Sequence, residues 1–526
     1  MPVQSPDYNP PIPQVPAPGA WAFGPSWVPD LPALNASGSP NARNVVPRTP
    51  TSFGPVPGMV PLAATGLVGR CQGACAVLDS NGFVQVFAGD ATDLYQNNLS
   101  LGQFVKVSKL GGYATYATNY WNFEFMNGIV VATNGTDNPQ AFTLGTSSSF
   151  LDLAGGVCPR GKYMAVIKNF LMFADTSDNI IVGPGYAQAH QRAWWSPLNN
   201  PFVAWPTPGS VSAITQQSSY NDIFGKQGYC QGLVGNLGNA DGAMFFDHAV
   251  YRIMYAGPPV VFDFLPAQAA KGCPAPQSIV QIGALAYYLG EDGFYSFDGV
   301  NTVPIGANFV DKYFYSDLIA SLAYRTIGAV DPVNKLIYWA YCGAGSTGNP
   351  NHIIVYNWQL NSWSILDLTT EMLVRLLTVG FTLDQLYTIL GYTIDGLPAP
   401  LDSRVWTGGL LSFGMFDAAH RLNFLTGPNL AATIDTPEVQ ASPGQRSLID
   451  GAMPLIDGGN PSIAIGSRER LIDPVVWGTP QAINSLGECP LYTSGRFQRA
   501  RLTTLAGDTW TNAMGVVPSI QAIGAQ

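Results

Sequence analysis

The chain has 526 residues, of which only 11% are charged, against about 25% in an ordinary soluble domain. Its 34 acidic and 24 basic residues give a net charge of -10, and no basic cluster is present. This excludes tight nucleic-acid binding, which needs basic groups to displace counterions from phosphates. With 57 glycines, 42 prolines and 47% hydrophobic residues, the composition favours a turn-rich β protein with one large core or two to three domains.

Residues 1–61 contain 16 of the 42 prolines. Because proline fixes φ and lacks a backbone N–H, this segment should neither form a helix nor enter the middle of a sheet. We therefore expect an extended arm, docked by Trp21, Phe23, Trp27 and Phe53, for which a neighbouring subunit is one candidate surface; the alternative is a disordered tail. The first residues resemble no signal peptide, and no run of 18 apolar residues occurs, so neither secretion nor membrane insertion is expected.

Residues 62–365 contain six short apolar runs of strand length, each closed by a polar or glycine turn, which begin at positions 82, 128, 169, 243, 284 and 335. The steps between them are 46, 41, 74, 41 and 51 residues, and most match the period of β-propeller blades. The long step contains a loop-like insertion near residues 180–226. Each run precedes a second aromatic, strand-like piece, as stacked blades require. The sequence predicts a mainly β fold, a β-propeller of about six blades; unrelated hairpins in a sandwich are the alternative.

Two further segments follow. In residues 366–400, Leu373, Leu376 and Leu377 have helical spacing, and a second start at Thr382 has a capping box, so two short helices are predicted as an insertion. Strand patterns return in residues 401–526, where the alternation along 497–502 is amphipathic at strand period. We expect this C-terminal β region to complete or to flank the propeller.

Two short motifs imitate catalytic or nucleotide sites. Residues 156–163 have the glycine and lysine spacing of a phosphate-binding loop, but Tyr163 follows Lys162 where a small hydroxyl should bind magnesium, and Pro159 removes an amide. A turn before a strand is favoured. Residues 228–232 resemble a nucleophile elbow around Cys230, yet nothing shows that a histidine approaches it. A structural cysteine is favoured there.

Metal and acid–base sites are equally weakly indicated. Cys71 and Cys75 lack a second pair of ligands, so packing in a core is favoured, and all seven cysteines are predicted to be free thiols in a reducing compartment. Asp247 beside His248, and Glu291 beside Asp292, are candidate acid–base pairs for a glycosidase, but solvated acids are common in such turns. No catalytic, cofactor-binding or metal-binding residue is predicted, and the chain is expected not to be an enzyme.

Several phrases in the second part of the chain resemble a known family. They occur in this order: AWWSPLNNPFVAW, GEDGFYSFDGVNTVPIG, AVDPVNKLIYWAY, YNWQLNSWS, FTLDQL, LPAPLDSRVWTGG, IDTPEVQ and SGRFQRARLTTLAGDTWTNAMGV. The series, which spans roughly residues 160–526, resembles the tail hub or nozzle proteins of short-tailed phages (podoviruses), including the packaged-DNA stabilisation type. The proline-rich first 60 residues are less clearly part of the pattern.

The resemblance implies a β-propeller subunit in a virion tail, assembled in the bacterial host cytoplasm. Six copies would form a ring below the portal and adaptor, extend the DNA channel, retain the packaged genome and open during ejection. The implied partners are further copies of the chain, the head-to-tail adaptor protein, tail fibre or tailspike proteins, and DNA passing without specific contacts. The turn at residues 291–293 is a candidate for channel gating. The alternative function is a carbohydrate-binding or glycan-cleaving propeller that recognises a host surface.

Overall fold

The computed structural model describes residues 19–62, 65–79, 84–98, 103–178, 187–377, 387, 393 and 411–523. The N-terminal part of this range forms five short strands, β1 (Trp21–Ala22), β2 (Ala42–Arg43), β3 (Val45–Thr49), β4 (Ser52–Pro55) and β5 (Pro57–Pro61).

Within the described residues, seven antiparallel units of four strands follow one another. The first four units are β6 (Gly73–Leu78), β7 (Val84–Gly89), β8 (Leu94–Asn98) and β9 (Gln103–Lys106); β10 (Asn122–Met126), β11 (Ile129–Thr133), β12 (Gln140–Thr143) and β13 (Leu151–Asp152); β14 (Arg160–Ile167), β15 (Phe170–Asp178), β16 (Ala187–Trp195) and β17 (Ser219–Asp222); β18 (Cys230–Leu237), β19 (Ala240–Phe246), β20 (Ala249–Gly257) and β21 (Val261–Ala269). The last three are β22 (Val280–Ile282), β23 (Leu285–Leu289), β24 (Phe294–Phe297) and β25 (Thr302–Pro304); β26 (Ile327–Asp331), β27 (Leu336–Tyr341), β28 (His352–Asn357) and β29 (Ser362–Leu366); and β30 (Met372–Leu377), β31 (Leu411–Phe416) and β32 (Leu422–Asn429) with β5. Helix α1 (Val211–Gln216) lies in the third unit, and α2 (Asp311–Asp317) precedes the sixth.

These units are the blades of a β-propeller. First strands pack on the next first strands along the chain, as β10 does on β14 and β26 on β30, and the circle closes where β30 packs on β6. Each of the six runs identified in the sequence is the second strand of a blade. Aromatic side chains fill the spaces between blades: the rings of Phe245 and Tyr288 are 5.1 Å apart, and those of Tyr338 and Phe413 are 4.2 Å apart. The predicted fold class is confirmed.

The seventh blade explains why about six were expected. Residues 372–377, predicted to start a helix, form strand β30, in which Leu373, Val374 and Leu376 are all buried. A strand that is covered on both faces is apolar at most positions, and this produced the apparent helical spacing. The fourth strand of the blade is β5, from the N-terminal segment. Of the predicted insertion at residues 366–400, the structure describes residues 366–377, Tyr387, which is helical, and Thr393. The second predicted helix, from Thr382, otherwise lies outside the described residues.

The long step between the third and fourth runs contains less loop than the sequence predicted. Within residues 180–226, β16 and β17 are blade strands, and the connection at 196–218 carries α1. Ser210 caps this helix by accepting a hydrogen bond from the Ala213 N–H (3.1 Å).

The C-terminal region both completes and flanks the propeller. Strands β31 and β32 belong to the seventh blade, whereas an accessory module is formed by β1 to β4 together with β33 (Thr433–Asp435), β34 (Ser447–Ile456), β35 (Ser462–Arg468), β36 (Val476–Trp477), β37 (Gln481–Ala482), β38 (Cys489–Gly495), β39 (Phe497–Thr503) and β40 (Ala513–Ala522). One sheet of this module continues the sixth blade through β29, β2, β33, β39 and β35; the other has the order β3, β4, β40, β34, β38. In β39 the predicted alternation is confirmed, because Gln498, Ala500 and Leu502 are buried.

The N-terminal segment packs on its own chain. Phe23, Trp27 and Phe53 are fully buried, and Trp21 packs against the same core, so the four predicted anchors are confirmed. The expectation that the segment stays out of sheet interiors is wrong, since β2 lies between β29 and β33, and β4 between β3 and β40. Strand β2 contains no proline, and Pro47 lies in the edge strand β3. Pro55 ends β4, beyond the single residue pair, Phe53 with Ala513, that joins β4 to β40, so these positions satisfy the hydrogen-bonding limits of proline.

Neither α1 nor α2 approaches the length needed to cross a bilayer, and no helix in the described part of the chain is long and apolar enough to span a membrane.

Candidate functional face of the propeller

The topology places many polar residues of the blades at one end of the propeller. Because each blade is an antiparallel meander, the turns between its second and third strands lie at the same end as the connection into the next first strand. We call this end the upper face. Its described parts are the turns at residues 90–93, 134–139, 247–248, 290–293, 342–351 and 417–421, and the connections at 65–72, 107–121, 153–159, 223–229, 270–279, 305–326 and 367–371.

All four histidines of the chain lie on or beside the upper face, and each contacts a carboxylate. The pairs are His190 Nδ1 with Asp175 Oδ1 (2.8 Å), His248 Nδ1 with Glu291 Oε1, His352 Nδ1 with Asp367 Oδ1 (3.0 Å) and His420 Nδ1 with Glu371 Oε2 (2.8 Å). Glu371 is almost completely buried, whereas His248 and Glu291 are exposed. No local pattern predicts these four pairs, since their members lie 15 to 49 residues apart.

The structure separates the members of both candidate acid–base pairs and gives them other partners. His248 of the fourth blade meets Glu291 of the fifth, so one member of each sequence pair is brought together. Asp247 instead accepts hydrogen bonds from the Tyr229 N–H (2.7 Å) and Gln231 Nε2 (2.6 Å). Asp292 accepts one from the Tyr295 hydroxyl (2.6 Å). These contacts fix turns within the fourth and fifth blades, which is a structural role for both aspartates.

Asp311, a residue that the sequence did not single out, lies close to the candidate gating turn at residues 291–293. It is in the first turn of α2, and its Oδ1 accepts a hydrogen bond from the Phe294 N–H (3.1 Å). Burial raises the pKa of its carboxyl to about 7, and the negative charges of Asp30 and Asp292 add to the rise.

The two imitated motifs have ordinary structural roles. Lys162 and Tyr163 lie in β14, which begins directly after the turn containing Pro159. Cys230 is the first residue of β18 and is buried, and burial raises the pKa of its thiol well above the usual range. This disfavours the thiolate that a nucleophile requires.

The cysteines show no arrangement for metal binding. All seven are free thiols, as predicted, and Cys71 is buried, with burial raising its pKa. Cys75 is only half-buried. The described residues contain no group of three or more histidine, cysteine, aspartate or glutamate side chains that could hold an ion.

A pocket of about 280 Å³ opens among the starts of the first strands on the upper face. Its lining includes Tyr120 and Tyr324 from two connections, and Lys162, Tyr163 and Gln231 from β14 and β18. The Tyr163 hydroxyl donates to Gln231 Oε1 (3.2 Å), which joins two blades at the pocket wall. We call this the axial pocket, because blades on several sides of the ring contribute to it.

Comparison with known proteins identifies no family. No protein-family model matches the chain, and no curated protein does. Similar solved structures include the extracellular domain of a hybrid two-component system from B. thetaiotaomicron (9% identity, TM-score 0.29, 55% of this chain and 39% of that one) and apo AztD from Citrobacter koseri (14%, 0.32, 56% and 86%). A third is an inactive variant of virginiamycin B lyase from Staphylococcus aureus, solved with quinupristin (11%, 0.34, 70% and 97%). Enzymes are thus among the similar structures, but at these TM-scores the likeness carries no functional argument.

Proposed function

We propose that the chain is a structural subunit of a phage tail hub or nozzle, as the sequence resemblance implies. Six copies would form a ring that extends the DNA channel below the portal and adaptor, retains the packaged DNA and lets it leave at ejection, without catalysis. An acidic or neutral channel wall would keep the DNA mobile, because basic groups would pair with its phosphates. Outside its two end segments, the chain has 26 acidic and 16 basic residues between positions 61 and 439.

The observation that carries this proposal is a set of exposed apolar side chains on the accessory module. Ile472, Val476, Leu486 and Tyr492 are 82%, 67%, 80% and 84% exposed. Exposed apolar side chains that recur within one short segment are typical of protein–protein interfaces. Low overall charge also suits an assembly, since interface centres are depleted of charged residues.

A second exposed apolar site lies elsewhere on the molecule. On α1, in the connection of the third blade, Val211 and Ile214 are also exposed. A closed ring of identical subunits needs two different surfaces on each subunit, one for each neighbour. We propose that the accessory module and the α1 connection are these two surfaces.

The mass of the assembled particle tests the proposal. We expect a sixfold ring by native mass spectrometry and negative-stain microscopy. The double variant Ile472→Asp, Tyr492→Asp should remain folded but dissociate, since it places charge in the centre of an interface. Val333→Asp, at another exposed valine, is the matched control and should leave the ring intact. A parent chain that stays monomeric at every concentration would contradict the proposal.

The alternative, a carbohydrate-binding or glycan-cleaving propeller, is favoured by the axial pocket alone. Tyrosine rings and the amide of Gln231 are groups that bind sugars through stacking and hydrogen bonds. Glycan binding by the parent chain that is lost in Tyr324→Ala, or release of sugar from host-surface glycans, would support this function instead of the tail role.

A further inference from the structure

Beside the axial pocket lies a cluster of buried hydrogen-bond donors that have no acceptor. Arg70 Nη1, the Tyr120 hydroxyl and Arg325 Nε and Nη2 are all shielded from solvent, and among the described residues none of them makes a hydrogen bond of regular geometry. They come from three connections of the upper face, which precede the first, second and sixth blades. Tyr120 also lines the axial pocket, and Tyr324, the neighbour of Arg325 in the chain, does so as well.

Arg325 is the least compensated member of the cluster. Arg325 is only 7% exposed, and its Nη1 donates a hydrogen bond to the Gly348 carbonyl oxygen. Among the described residues, no carboxylate oxygen lies within 4.0 Å of Arg325 or of Arg70. A buried guanidinium without a counter-charge is strongly unfavourable, because it loses hydration and gains no ion pair.

The three side chains lie close together. The guanidinium carbon of Arg70 is 5.7 Å from the centre of the Tyr120 ring, and Arg70 Nη2 donates to the Ala117 carbonyl oxygen (2.7 Å). Burial raises the pKa of Tyr120, and the positive charges of Arg70 and Arg325 and the close approach of both side chains to the Tyr120 oxygen oppose that rise. Both guanidinium groups therefore face this oxygen, but neither reaches the geometry of a regular hydrogen bond.

Glu371, a buried acid that contacts the residue after Arg70, is already engaged. Glu371 pairs with His420 (2.8 Å), and the Cys71 N–H donates to its Oε2 (3.3 Å). It therefore leaves the donors of Arg70 and Arg325 unpaired.

We propose that this cluster binds the phosphate group of a small ligand that enters through the axial pocket. Nε and Nη2 lie on one edge of the Arg325 guanidinium and form the two-pronged donor that suits a phosphate or carboxylate. Arg70 Nη1 and the Tyr120 hydroxyl add two donors from other directions, which fits a tetrahedral oxyanion better than a planar one. Lys162, on the pocket wall, adds positive charge along the path of approach.

The first test measures the binding of inorganic phosphate to the full chain. Binding is measured by isothermal titration calorimetry and by the midpoint temperature of thermal unfolding, both at constant ionic strength. We expect saturable binding and a rising midpoint in phosphate, and none in sodium chloride. Arg325→Met should abolish both, and without phosphate it should be at least as stable as the parent, because it removes an uncompensated buried charge. Arg470→Met, at an exposed arginine far along the chain in the accessory module, is the matched control.

A second variant keeps the test decisive if Arg325→Met fails to fold. Tyr120→Phe retains the buried ring and removes only the hydroxyl, so we expect a fold that is unchanged and phosphate binding that is weaker by about tenfold. An arm with glycerol phosphate separates a free ion from a phosphomonoester, since only the latter gains from the axial pocket. Equal responses of the parent, Arg325→Met and Tyr120→Phe to phosphate would overturn the inference. It does not depend on the proposed tail function.

Discussion

The Asp311 carboxyl should make the stability of the protein depend on pH. The carboxyl is partly buried at the start of α2, near the carboxylates of Asp30 and Asp292. Asp30 itself accepts hydrogen bonds from the Lys312 and Tyr313 N–H groups (both 2.8 Å), which fixes its negative charge beside the helix. Burial, followed by these charges, raises the pKa of Asp311 from 3.8 to about 7.

The direction of the effect follows from this rise. Because the folded chain binds the Asp311 proton more tightly than the unfolded chain, the free energy of unfolding falls as pH rises from about 4 to about 7, and the loss is complete above that range. Each pKa unit corresponds to about 1.4 kcal/mol, so the difference of about three units sets a ceiling near 4 kcal/mol. Since the group is partly exposed and solvent screens it, we expect a loss of about 1–2 kcal/mol.

The variant Asp311→Asn tests this reasoning, since asparagine keeps the oxygen that accepts from Phe294 and cannot ionise. Denaturant midpoints at pH 5 and pH 8 should show a gain over the parent that is about threefold larger at pH 8. Asp263→Asn, at an exposed aspartate on β21, makes the same change of charge and should show no such pH dependence. A gain for Asp311→Asn that is equal at both pH values, or larger at pH 5, would refute the argument.

Three further predictions concern packing and thiols. Trp363→Ala removes a fully buried ring and should lower the free energy of unfolding by about 3–5 kcal/mol, measured by denaturant titration, whereas Val333→Ala at the surface should change it little. Gly272→Ala would place a Cβ 2.1 Å from the Asp247 carbonyl oxygen and should destabilise the fold by about 1–3 kcal/mol. Gly451→Ala would place its Cβ 3.8 Å from the Cys489 carbonyl oxygen and should be nearly neutral; similar denaturant midpoints for the two variants would contradict this. Six of the seven cysteines are buried, so the thiols of the folded protein should react slowly with a thiol reagent at pH 8 and quickly once the protein is unfolded in denaturant. Fast reaction of all seven thiols before unfolding would show that this packing is wrong.

The sequence predicted the blades where one strand dominates the pattern. The second strand of each blade is covered by neighbouring blades, as in β27, where all six residues are buried, and such a run stands out from its turns. Other strands, such as β13 and β25, are short or partly exposed and carry little signal. The seventh blade, which the sequence did not predict, includes β5, and the partner strand β32 lies more than 360 residues later in the chain. No local sequence pattern indicates such a pairing.

The functional face was predicted less completely for the same reason. The acids and histidines of the turns were visible, but the contact between His248 and Glu291 joins two blades and depends on how they stack. Arg325 follows no motif, and its importance comes only from burial without a partner. Sequence patterns report periodicity along the chain, whereas this site is formed by connections that converge on the propeller axis.

The pairing of β40 with β1 and β4 has a consequence for biosynthesis. The Ser52 hydroxyl donates to Asn512 Oδ1 across 460 residues of sequence, and Trp21 lies opposite Val516. The early strands therefore lack their partners until β40, which begins at Ala513, has left the ribosome, and their apolar side chains need protection during that interval. Nascent chains that are halted before residue 513 should accordingly bind chaperones, and they should aggregate when they are released from the ribosome.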